Sequence, residues 1–262
     1  MRAAPSRLFL MVAVAVMLAG CSPRPHPAGA NDPLEGVNRK VHALNKGIDT
    51  ALVRPVAMGY GTVLPEPARD GVRNFALNIS HPRFAVNYAL QARPDKAMDT
   101  IWRFVLNSTL GIGGLFDVAS RLGMPAADET DFGETLYRWG VGEGPYVEVP
   151  LFGPRTGRAA VGLVADVFTD PFFWVLNSPE SYAPTGARGL GVIDARYRFR
   201  NIIDDVLYNS ADSYARARIV YLQQRRFELG GPQSQSYLGP DGSPEDQNGN
   251  EVTDPLFDPY AE

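Results

Sequence analysis

A single cysteine, Cys21, stands in 262 residues, so no intrachain disulfide can staple the fold and no cysteine-rich zinc module is available. Positive charge is not in surplus either: 25 Lys and Arg face 29 Asp and Glu, which excludes nucleic-acid binding held by bulk attraction to phosphates. The one extended apolar run, Leu8 to Leu18, falls short of the roughly 20 residues that a membrane-spanning helix needs. Phosphate-binding glycine fingerprints, a Walker lysine, a G-x-S-x-G elbow and an H-E-x-x-H pair are all missing. Only three histidines occur: His26 among prolines, His42 inside the first expected helix and His81 at an expected helix start, positions that suggest surface polarity and capping rather than metal ligation. The acidic stretch from Asp241 to Asp246 lacks the glycine that an EF-hand loop places sixth. The sequence therefore predicts no metal site, no cofactor and no enzyme activity.

What is present begins at the amino terminus. Arg2 and Arg7 precede the apolar run, and Leu18-Ala19-Gly20-Cys21 closes it with small residues before the thiol, the pattern of a secretion signal. Leu-Ala-Gly-Cys resembles the lipobox of bacterial lipoproteins, and that resemblance implies cleavage before Cys21 and acylation of that residue. Residues 1–20 are then a cleaved signal, 21–31 a lipidated proline-rich linker, 32–229 the folded body and 230–262 an acidic tail. The body after cleavage is almost neutral, with 23 basic and 22 acidic residues from Cys21 to Leu229. The tail holds seven acids and no Lys or Arg, and its Gly, Pro, Ser, Gln and Asn content predicts disorder.

Within the body, apolar residues recur at helical spacing. Asp32-Pro33-Leu34-Glu35 reads as an N-cap, a first-turn proline and a carboxylate three residues after the cap, opening a helix whose stripe is Val37, Val41, Leu44 and Ile48 and which Arg54-Pro55 ends. Pro65 to Pro67 opens a second, with Val72, Phe75, Ala76 and Ile79. Ser80-His81-Pro82 restarts the chain as a third, and Asp95 leads a fourth with Met98, Ile101, Trp102 and Val105. Such stripes fit a protein core and a lipid interface equally well. Next comes an apolar, glycine-rich stretch, Leu110, Gly111, Ile112, Gly113, Gly114, Leu115 and Phe116, read as a flexible hairpin, and a small two-stranded excursion is expected between Thr135 and Phe152. Further helices are expected from Gly189 to Tyr208 and from Asp212 to Glu228, the last ended by Gly230-Gly231-Pro232.

A family resemblance rests on Asp32-Pro33-Leu34-Glu35-Gly36-Val37-Asn38-Arg39, Arg54-Pro55-Val56-Ala57, Pro67-Ala68-Arg69, Asn87-Tyr88, the segment Leu110 to Asp117, Tyr137, Trp139-Gly140-Val141-Gly142, Gly144-Pro145-Tyr146 and Leu151-Phe152-Gly153-Pro154. With these motifs the chain resembles the MlaA/VacJ family of outer-membrane lipoproteins across nearly all of the body. The resemblance implies a mainly α fold, a ring of short amphipathic helices embedded in the inner leaflet of the outer membrane and facing the periplasm, with an amphipathic channel and a hairpin beside it. It also implies the removal of glycerophospholipids mislocalised in the outer leaflet and their delivery to the periplasmic carrier MlaC, with trimeric porins as membrane partners and lipid asymmetry as the outcome. By the same resemblance Leu110 to Phe116 is the candidate gate, and Arg158, Asp166, Arg196, Asp212, Tyr214 and Arg218 fall at polar positions of the channel wall. One departure concerns Arg158, which is followed here by Ala159 and Ala160 where relatives often carry an Arg-Asp pair. Two other readings are weighed: a lipid-anchored structural or adhesive module without transport, and a cell-wall hydrolase using paired acids such as Glu129 and Asp131 or Asp204 and Asp205. Adjacent helical residues point in different directions, which argues against the second acid pair.

Overall fold

The computed structural model describes residues 32–125, 128–180 and 182–230, together with two short strands in the tail. Cys21, the signal segment and the linker lie outside the described residues. The body is mostly helical: α1 Glu35–Ile48, a π-helical turn Asp49–Val53, α2 Arg54–Val63, α3 Glu66–Leu90, α4 Pro94–Thr109, α5 Val118–Arg121, α6 Phe132–Arg138, α7 Gly157–Thr169, α8 Pro171–Val175, α9 Tyr182–Arg198, α10 Arg200–Leu207 and α11 Ser213–Glu228. The expected two-stranded excursion is present but falls later than Thr135 to Phe152: β1 Tyr146–Val149 pairs with β2 Gly153–Thr156, antiparallel with Tyr146 opposite Thr156, while Thr135 to Arg138 belongs to α6. In the tail, β3 Tyr237–Leu238 pairs with β4 Pro244–Glu245.

The elements pack in a closed circuit. The π turn joins α1 to α2, α2 packs on α9, α9 on α3, α3 on α7, α7 on β1, and β1 returns to α1. Helices α6 and α7 cross so closely that a Cβ on Gly162 would sit 2.4 Å from the Gly133 backbone nitrogen, so glycine is required there.

Several expected boundaries move, each for a physical reason. Pro55 does not end the first helix; the wide π turn shifts the hydrogen-bond register, and the proline falls in the first turn of α2, where its missing N–H is no loss. No new helix starts at Ser80-His81-Pro82 either. Pro82 lies inside the 25-residue α3, and the Ser80 hydroxyl donates to the Ala76 carbonyl instead of capping anything. The expected helix from Gly189 to Tyr208 is divided at Phe199 into α9 and α10. Asp117, Asp131, Thr156, Asp170 and Asp212 each accept a backbone N–H at a helix start, whereas Asp32 caps nothing.

The distribution of polarity is the inverse of an ordinary soluble domain. Buried apolar residues are mainly alanines and tyrosines, gathered in two small clusters around Phe84 and Tyr88 and around Tyr146, Tyr214 and Leu222. Asn38, His42, Asp49, Asn78, Asn87, Arg103, Glu148, Asp166, Asp194 and Arg196 are buried. Large apolar side chains face outward: on α1, Val37 and Leu44 are exposed while Asn38 and His42 are covered, and on α4 Met98, Ile101, Trp102 and Val105 are all exposed. The α4 stripe and part of the α1 stripe therefore face away from the protein interior, whereas on α3 Ala76 is buried and Val72, Phe75 and Ile79 are half-buried. His42 and His81, expected on the surface, are buried, at 5% exposure each.

Candidate functional site

Many of the buried polar groups are joined in hydrogen-bond networks that tie distant segments together. The Asp32 carboxylate accepts from Asn38 at 2.8 Å, from Arg218 at 2.6 Å and from the Tyr214 hydroxyl, joining the start of the body to α11. Burial alone would raise this carboxyl, but those hydrogen bonds hold it below the usual range. His42 bridges Glu148 on β1, at 3.3 Å, and Ser213, at 3.1 Å. Arg196 donates to both oxygens of Asp49, at 2.8 and 2.9 Å, and to Asp204 at 2.6 Å. Behind α6, Gln91 donates to Thr135, Thr135 to Asn87 and Asn87 to Asp166, a buried relay that fixes the Asp166 carboxylate.

Asp166, the end of that relay, lines a cavity of about 960 Å³ bounded by α3, the loop before α6, α6, β2, α7 and α11. Six basic and six acidic side chains line it. Most are paired: Arg93 with Glu134 at 3.6 Å, Arg138 with Glu134 at 3.4 Å, Arg225 with Asp131 at 2.6 Å and with Glu228 at 3.3 Å, and Lys96 with Asp128. Arg83 stands 3.7 Å from Asp166. Burial pushes the Asp166 carboxyl up, opposed by Arg83 and by the hydrogen bond from Asn87, and burial also raises Glu129. On the opposite face of α3, Pro82, Ala85, Val86 and Ala89 line a groove of about 870 Å³ closed by Met98 and Phe104, with almost no polar surface. At 100° per residue, Phe84 and Tyr88 point to the cavity and these four to the groove, so one helix separates a charged space from an apolar one.

Of the six polar wall candidates, Asp166 alone lines the cavity. Arg158 is buried beside it, donating to the Val141 carbonyl at 2.9 Å and lying over the Tyr137 ring. Arg196 belongs to the Asp49 network, Tyr214 and Arg218 hold Asp32, and exposed Asp212 caps α11 and pairs with Arg39. Among the paired acids, Asp131 caps α6 and pairs with Arg225, Asp204 is held by Arg54 and Arg196, and Asp205 by Arg216. Sequence reasoning missed Arg83, Arg93, Lys96, Arg155 and Arg225 as cavity residues. The available signal was an arginine at 83 directly ahead of a helical run, Phe84 to Leu90, whose one amide or charged member is Asn87.

Leu110 to Phe116 is a succession of turns at the end of α4, not a β hairpin, and lies apart from the cavity. Ile112, Gly113 and Gly114 have φ of 53°, 70° and 100°, and Leu110, Ile112, Leu115 and Phe116 are exposed. A left-handed isoleucine is strained. Asn78 fastens the turn to α3 by donating to Ser108 at 2.8 Å and to the Gly113 carbonyl at 3.3 Å, and Asn74 donates to the Leu115 carbonyl. Its base is clamped by Asp117, which accepts from Arg103 and Asn107.

Fold and site together define a small helical protein built inside out, with charge within and hydrocarbon without. The chain belongs to the MlaA lipoprotein family, whose description matches residues 30–228. It is 37% identical over 230 residues to the Escherichia coli protein named intermembrane phospholipid transport system lipoprotein MlaA, covering 86% of this chain and 89% of that one. The Haemophilus influenzae protein of the same name is 30% identical, over 82% and 87% of the two chains, and an uncharacterized Rickettsia bellii protein is 38% identical over 78% of each. A solved structure described as "Structural basis for maintenance of bacterial outer membrane lipid asymmetry" superposes with a TM-score of 0.64 at 35% identity, covering 76% of this chain and 98% of that one.

Proposed function

We propose that this protein is an outer-membrane lipoprotein that withdraws phospholipids mislocalised in the outer leaflet, leads their headgroups through the charged cavity and passes them to a periplasmic carrier, so that lipid asymmetry is kept. The observation that carries this reading is the inverted polarity: a cavity lined by twelve charged side chains inside a body that exposes large apolar side chains on most of its helices. A headgroup crossing hydrocarbon needs polar partners at every step, because an unpaired charge in an apolar medium is strongly disfavoured, whereas acyl tails can stay in contact with lipid or the apolar groove. Among the described residues no helix is long and apolar enough to cross a membrane. Exposed apolar faces on short helices suit burial in a single leaflet, and exposed Trp102, Trp139 and Trp174 suit its interface. Acylation of Cys21 would add about 0.8 kcal/mol per buried CH₂ to that attachment. The turn from Leu110 to Phe116, apolar at its tip and fastened by Asn78, serves in this reading as the gate.

Support also comes from the transport-system name carried by the Escherichia coli and Haemophilus influenzae relatives. The decisive experiment is a clean deletion with assay of phospholipid in the outer leaflet of the outer membrane. Phospholipid accumulation there, reversed by the wild-type gene, is expected. Unchanged asymmetry would overturn the proposal in favour of a lipid-anchored structural module.

A further inference from the structure

The charges lining the cavity balance, and the two left over are of opposite sign. Among the described residues, Arg155 has no carboxylate within ion-pair distance; one of its nitrogens donates to the Pro154 carbonyl at 2.9 Å, and the guanidinium lies 5.9 Å from the centre of the Tyr221 ring. Its remaining N–H groups are unspent. Arg83 adds to this donor set, since its Nε is buried without a hydrogen-bond partner and its contact with Asp166 is long. Glu129 is the counterpart: it borders the cavity, forms no ion pair and accepts no hydrogen bond among the described residues. The tail cannot supply its partner, because no Lys or Arg follows Gly230.

A cavity with one unspent cation and one unspent carboxylate is matched to a ligand carrying both complementary charges. A phosphate accepts the forked N–H groups of an arginine, and a primary ammonium donates to a carboxylate. A headgroup with a phosphate and no ammonium would satisfy Arg155 while setting an added negative charge beside the exposed carboxylate of Glu129 with no cation between them, and like charges at close range repel. Resting on the reading of this cavity as a lipid passage, we propose that it selects zwitterionic phospholipids with a primary ammonium, phosphatidylethanolamine in kind, over net-anionic ones. Arg155, with Arg83, takes the phosphate, and Glu129 takes the ammonium.

The test uses the full mature protein purified in detergent and incubated with vesicles holding equal amounts of isotope-labelled phosphatidylethanolamine and phosphatidylglycerol. The protein is then repurified and its bound lipid extracted and quantified. Wild type is expected to retain phosphatidylethanolamine over phosphatidylglycerol by about tenfold, the size of one charge-assisted hydrogen bond. Glu129→Gln should bring that ratio close to one while total bound phosphatidylglycerol does not fall. Arg155→Gln should lower both lipids by similar factors, since phosphate is common to them. Equal retention by wild type, or a ratio unmoved by Glu129→Gln, overturns the selectivity while leaving the passage intact. Retention of neither lipid overturns the passage itself. Glu129 makes no hydrogen bond or ion pair among the described residues that its replacement would break, and an unchanged melting temperature of Glu129→Gln is the control that separates lost selectivity from lost fold.

Discussion

Replacing Arg196 by methionine separates the cost of breaking a buried ion network from that of trimming a surface pair. The guanidinium is 5% exposed and gives three charge-assisted hydrogen bonds, two to Asp49 and one to Asp204. In the variant, Asp204 keeps Arg54 at 2.9 Å, but Asp49, whose side chain is 12% exposed, keeps only the Tyr208 hydroxyl at 2.7 Å. A buried carboxylate stripped of its counter-charge costs about 3–5 kcal/mol. For a body of this size that corresponds to a fall in melting temperature of about 10 °C. The comparison variant is Arg39→Ala, which removes equally short contacts to Glu35 and Asp212 from an exposed side chain and should behave as an ordinary surface substitution. Thermal unfolding in mild detergent, followed by tryptophan fluorescence, reads both. Adding Asp49→Asn to Arg196→Met should recover part of the loss, because no charge is then left uncompensated. A loss below about 1 kcal/mol for Arg196→Met would refute the argument that burial sets the strength of this network.

Acid sensitivity should trace in part to His81. Burial first, and Arg103 next, lower its pKa to about 4, so between pH 6.5 and 4 the unfolded chain binds a proton that the folded chain refuses, and stability falls as pH falls through that window. The worked contribution is about 2 kcal/mol between pH 7 and pH 4.5, and His81→Gln should flatten that part of the urea-midpoint profile; an unchanged slope would sink the assignment. At the apolar turn, Gly113→Ala meets no neighbour and should cost only the about 1 kcal/mol of a left-handed alanine. Gly114→Ala drives a methyl to 2.5 Å from Asn78 and should release the turn, raising proteolytic cleavage near residue 112 well above that of the Gly113 variant. Equal cleavage of the two would show that Asn78 does not hold the turn.

Periodicity and caps made the helices legible. Asp212, the expected start of the last helix, accepts a backbone N–H at the start of α11, whereas α6 was not expected and occupies the end of a polar stretch and the start of the expected two-stranded excursion. Facing was not legible, because Met98, Ile101, Trp102 and Val105 form the same stripe whether it meets protein or lipid; only the packing of Arg103 and Asn107 beneath them decides the matter. Local rules also lost to long-range chemistry at Asp32, whose carboxylate is worth more to Arg218 and Tyr214 than to the backbone of α1. The prolines at 55 and 82 misled for a related reason, since tertiary contacts of α2 and α3 outweigh one missing donor. Asp166 was found through the resemblance, while Arg83, Glu129, Arg155 and Arg225 converge from elements far apart in sequence and leave no local pattern.

The hold of Asp32 on α11 has a mechanical consequence. Eleven residue steps lead to it from Cys21, a leash whose contour is at most about 40 Å. With Cys21 acylated as proposed, a pull of the membrane would reach the described body first at Asp32. There the load passes straight to Tyr214 and Arg218, 182 and 186 residues away in sequence. The tether therefore loads the last helix in shear together with the first, instead of peeling α1 away turn by turn, and the two ends of the body are drawn against each other when the leash is taut.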